Sequence, residues 1–141
     1  DYPFTTLDPK LGVVRKGDEE IVVADIPGLI EDAHVGSGLG FKFLKHIERC
    51  HSLIHVIDIT NENLVKSYNT IINELKNYDE DLVDKNKIIV LNKCDLLKKE
   101  EVDNIRIDFE NYINLKVHLI STMSGEGIDR LINEILNLKN I

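Results

Sequence analysis

Residues 87–95 read Lys87-Ile88-Ile89-Val90-Leu91-Asn92-Lys93-Cys94-Asp95. Ile88 to Leu91 is a short, continuous apolar run closed by a polar cluster. That is the pattern of a strand covered on both faces, as in a parallel sheet flanked by helices. The runs Leu53 to Ile59 and Val117 to Ile120 read the same way. Between and after them apolar residues recur at helical steps. Leu64, Val65, Tyr68, Ile71, Ile72 and Leu75 follow a candidate cap at Asn61; Val102, Ile105, Phe109 and Ile113 make a second helix; Ile128, Leu131, Ile132 and Ile135 make a third. Upstream, Leu11 to Arg15 and Ile21 to Asp25 flank Lys16-Gly17-Asp18, which predicts an antiparallel hairpin. A shorter helix is expected over Gly40 to Cys50. Strands that alternate with crossover helices define an α/β chain with a mostly parallel sheet and one antiparallel hairpin strand.

Composition sets the outer bounds. The 141 residues, 43% hydrophobic and 30% charged, suffice for one ordinary globular domain, with no linker or repeat to divide it. A net charge of −8 argues against a phosphate-backbone grip on DNA or RNA. Cys50 and Cys94 form no CxxC pair, so neither a zinc site nor a disulfide framework is expected, and a reducing compartment is. No apolar run reaches the roughly 18–20 residues of a membrane span. The five histidines lack ligand spacing, and His55 and His118 fall in strand patterns as core groups. The first residue is Asp1 rather than Met, so the chain is expected to belong to a longer one.

In open parallel sheets ligands bind beyond the carboxyl ends of the strands, which directs attention to three loops. Asp25-Ile26-Pro27-Gly28 offers a carboxylate suited to Mg²⁺ through water and a glycine N–H that can approach a terminal phosphate; the same residues would serve as a strand stop with a Pro-Gly turn. Asn92-Lys93-Cys94-Asp95 is sharper. The Asp95 carboxylate can accept parallel hydrogen bonds from N1–H and N2–H₂ of guanine, a pattern adenine lacks. The Lys93 stem can cover a purine face, and the Asn92 amide can tie loops together. A helix-capping loop with Asp95 as N-cap is the other reading. Ser121-Thr122-Met123-Ser124-Gly125-Glu126-Gly127 can bring backbone N–H groups to guanine O6, or can simply cap the last helix through Ser124. Near the start, Tyr2-Pro3-Phe4-Thr5-Thr6 carries hydroxyls able to complete a Mg²⁺ shell, and Gly36, Gly38 and Gly40 punctuate the segment after Gly28.

Taken in this order, these segments resemble the second to fifth motifs of a translation-factor-class GTPase. The runs Asp25-Ile26-Pro27-Gly28-Leu29-Ile30-Glu31, Gly38-Leu39-Gly40 and Phe43-Leu44-Lys45-His46-Ile47-Glu48-Arg49-Cys50 are similar to the Obg family in particular. The resemblance implies a P-loop GTPase-like three-layer sandwich, with residues 1–141 running from switch one to the last helix and the first strand absent. It implies that GTP or GDP is held with Mg²⁺, with Thr6 and Asp25 on the metal and Phe4, Thr5, Ile26, Pro27 and Gly28 near the phosphates. Asn92, Lys93 and Asp95 would read guanine, helped by Ser121, Thr122 and Met123. It further implies slow GTP hydrolysis in the complete protein, action with the large ribosomal subunit or its precursor, a monomer, and a cytoplasmic location, or a mitochondrion or plastid in a eukaryote. Leu29 stands where many small GTPases place the glutamine that orients the attacking water. Asp8 and Thr122 depart from the family pattern, which more often has an apolar residue and an alanine there. No GxxxxGK[ST] segment occurs in the chain. A GTPase domain that needs residues outside this chain is the first expectation, and a non-hydrolysing module that binds partners is the alternative.

Overall fold

The computed structural model describes residues 11–24, 50–78 and 80–138. They fall into two compact units, one drawing on residues 11–24, 50–51, 69–78 and 80–86, the other on 52–68 and 87–138.

In the first unit β1 (Leu11–Lys16) pairs antiparallel with β2 (Glu19–Ala24). Lys16 faces Glu19, so the expected three-residue turn contracts to Gly17-Asp18, with Gly17 at φ 63. A two-residue hairpin needs that left-handed backbone, which glycine adopts without a Cβ penalty. The Arg15 Nε donates to Glu20 Oε2 at 2.9 Å across the ladder. This unit also holds the carboxyl half of α1 (Leu64–Tyr78), where Leu75 and Glu74 are buried, and a single 3-10 turn, Glu80–Leu82. Lys85 Nζ donates to the Cys50 carbonyl at 2.7 Å. The helix expected over 40–50 lies outside the described residues except for Cys50, which is irregular backbone.

The second unit is organised by a sheet of order β3 (Ser52–Asp58), β4 (Asn86–Asn92), β5 (Val117–Leu119). β4 and β5 are parallel, with Ile89, Val90 and Leu91 opposite Val117, His118 and Leu119. A strand hydrogen-bonded on both edges and covered on both faces has no solvent-facing side, and β4 fits that description: Ile89, Val90 and Leu91 are each 0% exposed. β3 is covered less evenly, since Ile57 is buried and Val56 is exposed. Ile57, Ile59, Ile89, Leu91, Cys94 and Val117 form one core with Val102 and Phe109 of α2 (Lys99–Ile113). Leu64, Val65 and Tyr68 from the first turns of α1 pack against it. α3 (Ile128–Asn137) buries Leu131, Ile135 and Leu136. Each such aliphatic side chain contributes about 1.5–3 kcal/mol on full burial.

Helix ends differ from the sequence expectation in detail. Asn63, not Asn61, caps α1: its Oδ1 accepts from Lys66 N at 3.0 Å. Asn61 instead accepts from Asn63 N at 2.9 Å, an Asx turn that precedes the cap. The cap falls where the apolar stripe of α1 meets the core, which sets the helix start at Leu64. α2 ends at Asn114, whose left-handed backbone (φ 58) directs its N–H to the Glu110 carbonyl at 2.8 Å. The Glu110 side chain accepts from Arg106 Nη1 at 2.9 Å and from Val117 N at 2.8 Å, tying α2 to the start of β5.

His55 and His118 were expected as core groups. His55 of β3 stacks on Tyr68 of α1 with centroids 5.8 Å apart, and Tyr68 meets Phe109 edge-on at 5.8 Å. Burial, with the Lys87 charge adding to it, lowers the His55 pKa from 6.5 to about 4. Burial also lowers that of His118.

Two predictions follow from this packing. The unfolded chain takes up a proton at His55 near pH 6.5, while the folded one holds it off until about pH 4. The stability contributed by neutral His55 is therefore complete above pH 6.5 and lost as pH falls toward 4, a change of up to about 3 kcal/mol. An NMR titration of the His55 imidazole should give a midpoint near 4, and His55→Phe should flatten the acid-side fall in urea midpoint. At Gly127 (φ 77) an added Cβ would collide with the Leu119 carbonyl oxygen, with the Leu119 carbonyl carbon at 3.2 Å. At Gly125 (φ 85) it would meet open space. Gly127→Ala should lower stability by about 2 kcal/mol or more, and Gly125→Ala by only about 1 kcal/mol, both read from denaturant midpoints.

Candidate functional site

β4 ends at Asn92, and the chain then turns sharply. Lys93 adopts a left-handed backbone (φ 67, ψ 31), and Cys94–Leu96 forms one 3-10 turn closed by Leu96 N to the Lys93 carbonyl at 3.0 Å. Cys94 pins the turn from beneath. Its N–H donates to the Ile120 carbonyl at 3.2 Å and its Sγ to the Leu91 carbonyl at 3.3 Å. Burial pushes the thiol pKa up, so this cysteine stays a small neutral core group. With residue 94 drawn inward, Asn92, Lys93 and Asp95 are left to make polar contacts.

β5 supplies the other half. Ile120 N donates to the Leu91 carbonyl at 2.9 Å, which carries the β4–β5 pairing to the loop. Ser121 follows at 0% exposure, and a hydroxyl that deep must be satisfied. Its Oγ donates to Asp95 Oδ1 at 2.8 Å and accepts from Ser124 N at 3.1 Å. Thr122 N donates to Asn92 Oδ1 at 3.1 Å. Ser121 N reaches the Glu126 carbonyl at 2.9 Å and Gly125 N the Ser121 carbonyl at 2.8 Å, closing the loop on itself. Within 121–126 the Met123 N–H alone has no protein acceptor among the described residues.

The structure thus brings Asn92, Lys93, Asp95, Ser121 and Thr122 together at the carboxyl ends of β4 and β5. Met123 is 87% exposed, and its N–H is the donor that the loop leaves open. Phe4, Thr5, Thr6, Asp25, Ile26, Pro27 and Gly28 lie outside the described residues, and with them both expected Mg²⁺ ligands. Among the described residues no cluster of three or more His, Cys, Asp or Glu could hold a metal.

The two capping readings are not the observed ones. Lys98 occupies the N-cap position of α2, without a side-chain bond, while the Asp95 carboxylate is committed to Ser121. Gly127 occupies that of α3, and Ser124 Oγ accepts from Glu126 N at 3.2 Å instead. Asp95 is exposed, and its second carboxylate oxygen has no protein partner among the described residues. A fixed, exposed carboxylate of this kind can receive paired N–H donors from a planar ligand.

Sequence reasoning missed Asp58, at the end of β3. Its Oδ2 lies 2.9 Å from Lys93 Nζ, and its Oδ1 accepts from Thr60 N at 2.8 Å and Thr60 Oγ1 at 2.6 Å. The Thr60 hydrogen bond, followed by Lys93, holds the Asp58 carboxyl below its ordinary pKa. The signal was present: the rule that ligands gather beyond strand ends applies to β3 as much as to its neighbours.

Comparison with known proteins identifies the family and the fold. Residues 1–93 match the family described as 50S ribosome-binding GTPase. A GTPase Obg of Wolbachia sp. subsp. Drosophila simulans is 51% identical over 141 residues, covering 99% of this chain and 42% of that protein. A GTPase Obg of Rickettsia prowazekii is 51% identical over 138 residues, covering 98% and 42%. The chain thus spans about two-fifths of the length of these curated relatives. Among solved structures, Era in complex with MgGDPNP and a segment of 16S ribosomal RNA superposes with a TM-score of 0.73 at 23% identity, covering 94% of this chain and 45% of that one. The elongation factor SelB of Methanococcus maripaludis, with the GTP analogue GppNHp, gives 0.69 at 19%, covering 96% and 29%. These two share the fold, which is that of the P-loop GTPases. By family match and by relatives at half identity over nearly its whole length, the chain belongs to the 50S ribosome-binding GTPases, on their Obg branch.

Proposed function

We infer that residues 1–141 are the part of a G domain that runs from switch one to the last helix, and that they select guanine in a GTP-hydrolysing protein. One observation carries this: the exposed Asp95 carboxylate is held by the hydroxyl of fully buried Ser121, beside the Asn92–Thr122 tie. In this reading Asp95 accepts N1–H and N2–H₂ of guanine, the free Met123 N–H donates to O6, and the Lys93 stem covers the purine face. Asn92 does not touch the base; it joins the two loops. The relatives named GTPase Obg, and the Era and SelB structures with GTP analogues, support the nucleotide class.

The phosphate side of the reading rests on sequence. Thr6 and Asp25 would hold Mg²⁺ and Gly28 would place its N–H at the terminal phosphate, with Phe4, Thr5, Ile26 and Pro27 shaping the same region. Bound Mg²⁺ supplies charge neutralisation at the phosphate oxygens. Leu29 cannot hydrogen-bond a water, so hydrolysis by the complete protein is slow unless another group orients it. The 50S ribosome-binding description of the family makes the large ribosomal subunit or its precursor the proposed partner. Cys50 and Cys94, which form no CxxC pair, suit a cytoplasmic setting.

In the full-length protein Asp95→Asn should weaken GTP binding about 10- to 100-fold, since charge-assisted hydrogen bonds are worth about 1.5–3 kcal/mol each. It should improve binding of xanthosine triphosphate, because the amide donates to the xanthine 2-oxo group. Competition titration of both nucleotides against a fluorescent GDP checks this, and an unchanged guanine preference would refute the Asp95 role. Phosphate release from GTP by the wild-type protein tests the hydrolytic part separately.

A further inference from the structure

We propose that Asp58 is a positioning residue for nucleotide binding: from the end of β3 it anchors the Lys93 ammonium and so presets the lysine stem as a platform for the purine. The assignment rests on the guanine-nucleotide reading above and adds a residue to it.

Lys93 has a long stem and a left-handed backbone, and nothing in its own turn fixes where the side chain goes. Left to itself it would lose several rotamers' worth of freedom whenever a ligand required it in one place. Asp58 removes that freedom beforehand. Its Oδ2 holds Nζ at 2.9 Å, and the carboxylate cannot swing away because its Oδ1 receives both the N–H and the hydroxyl of Thr60. The backbone fixes the distance between the two strand ends, since Ile59 N donates to the Asn92 carbonyl at 3.0 Å. The charge on Nζ is therefore neutralised at its tip, while the methylenes between tip and backbone are held at the same strand ends as Asp95. A platform of this kind acts on any purine, so its effect is on affinity and not on base choice. Lys93 and Asp58 side chains are 51% and 37% exposed, so the pair is screened by salt and its effect is modest.

The test is a double-mutant cycle in the full-length protein, with fluorescent GDP, GTP and xanthosine triphosphate as probes and Tm as a check on folding. Asp58→Asn should weaken binding of GDP and GTP by about three- to fivefold at low ionic strength, with the ratio of guanine to xanthine binding unchanged. The deficit should shrink as salt rises. In a Lys93→Met background, which keeps an unbranched apolar stem without the charge, Asp58→Asn should have no further effect. An equal loss in both backgrounds would make Asp58 a merely structural residue and overturn the proposal; so would unchanged or tighter binding by Asp58→Asn, the latter meaning that the pair withholds Lys93. If Asp58→Asn folds poorly, Thr60→Val, which removes only the 2.6 Å hydroxyl bond to Asp58, runs through the same cycle with the same criteria. Wild-type protein that binds no guanine nucleotide would sink the functional reading itself, whereas normal binding with a silent Asp58→Asn sinks only this assignment.

Discussion

Everything at the site depends on β4 being the middle strand of its sheet. A central strand has its backbone groups taken on both edges, so its carboxyl end leaves the sheet at a point that neither neighbour can shift alone. The residues just past that point then attach to both sides: Asn92 and Asp95 to the loop after β5, Lys93 to the end of β3. The left-handed backbone at Lys93 costs about 1 kcal/mol for a residue with a Cβ. Burial of Cys94 and its two hydrogen bonds offset that cost and keep the turn closed.

Ser121 shows why such a loop resists change. A hydroxyl has one proton to give, and here it goes to Asp95; one lone pair takes the Ser124 N–H. With no water reaching it, losing either partner would leave a buried polar atom unpaired, at about 1–3 kcal/mol. The same bond that fixes the Asp95 carboxylate therefore belongs to the folding of the 121–127 loop. Gly127 closes that loop against the Leu119 carbonyl, where no side chain fits.

The apolar run of β4, the helical stripes and the Asn92-Lys93-Cys94-Asp95 cluster were legible because each is a local pattern with a single physical meaning. Val102, Ile105, Phe109 and Ile113 face the core as their spacing predicts. Caps were harder. Asn61 and Asn63 are chemically alike, and the choice between them is made by where α1 meets the core, a tertiary fact. Ser124 looked like a cap for the same reason and lost that role to Gly127 because the loop turns back on Ser121 first. Asp58 was invisible as a partner of Lys93 because their proximity arises only from strand order.

If the site binds a guanine nucleotide as proposed, strand order also gives two of its properties different supports. Asp95 offers acceptors, which distinguish one base from another, and it is tied to β5 through Ser121. Lys93 offers an apolar stem, which suits any purine, and it is tied to β3 through Asp58. The two side chains leave one turn of backbone, yet their supports come from strands that do not touch each other in the sheet. On that reading a change at the β3 support alters how tightly a nucleotide is held without altering which base is accepted, whereas a change at the β5 support alters both, because the hydrogen bonds that choose the base also hold it.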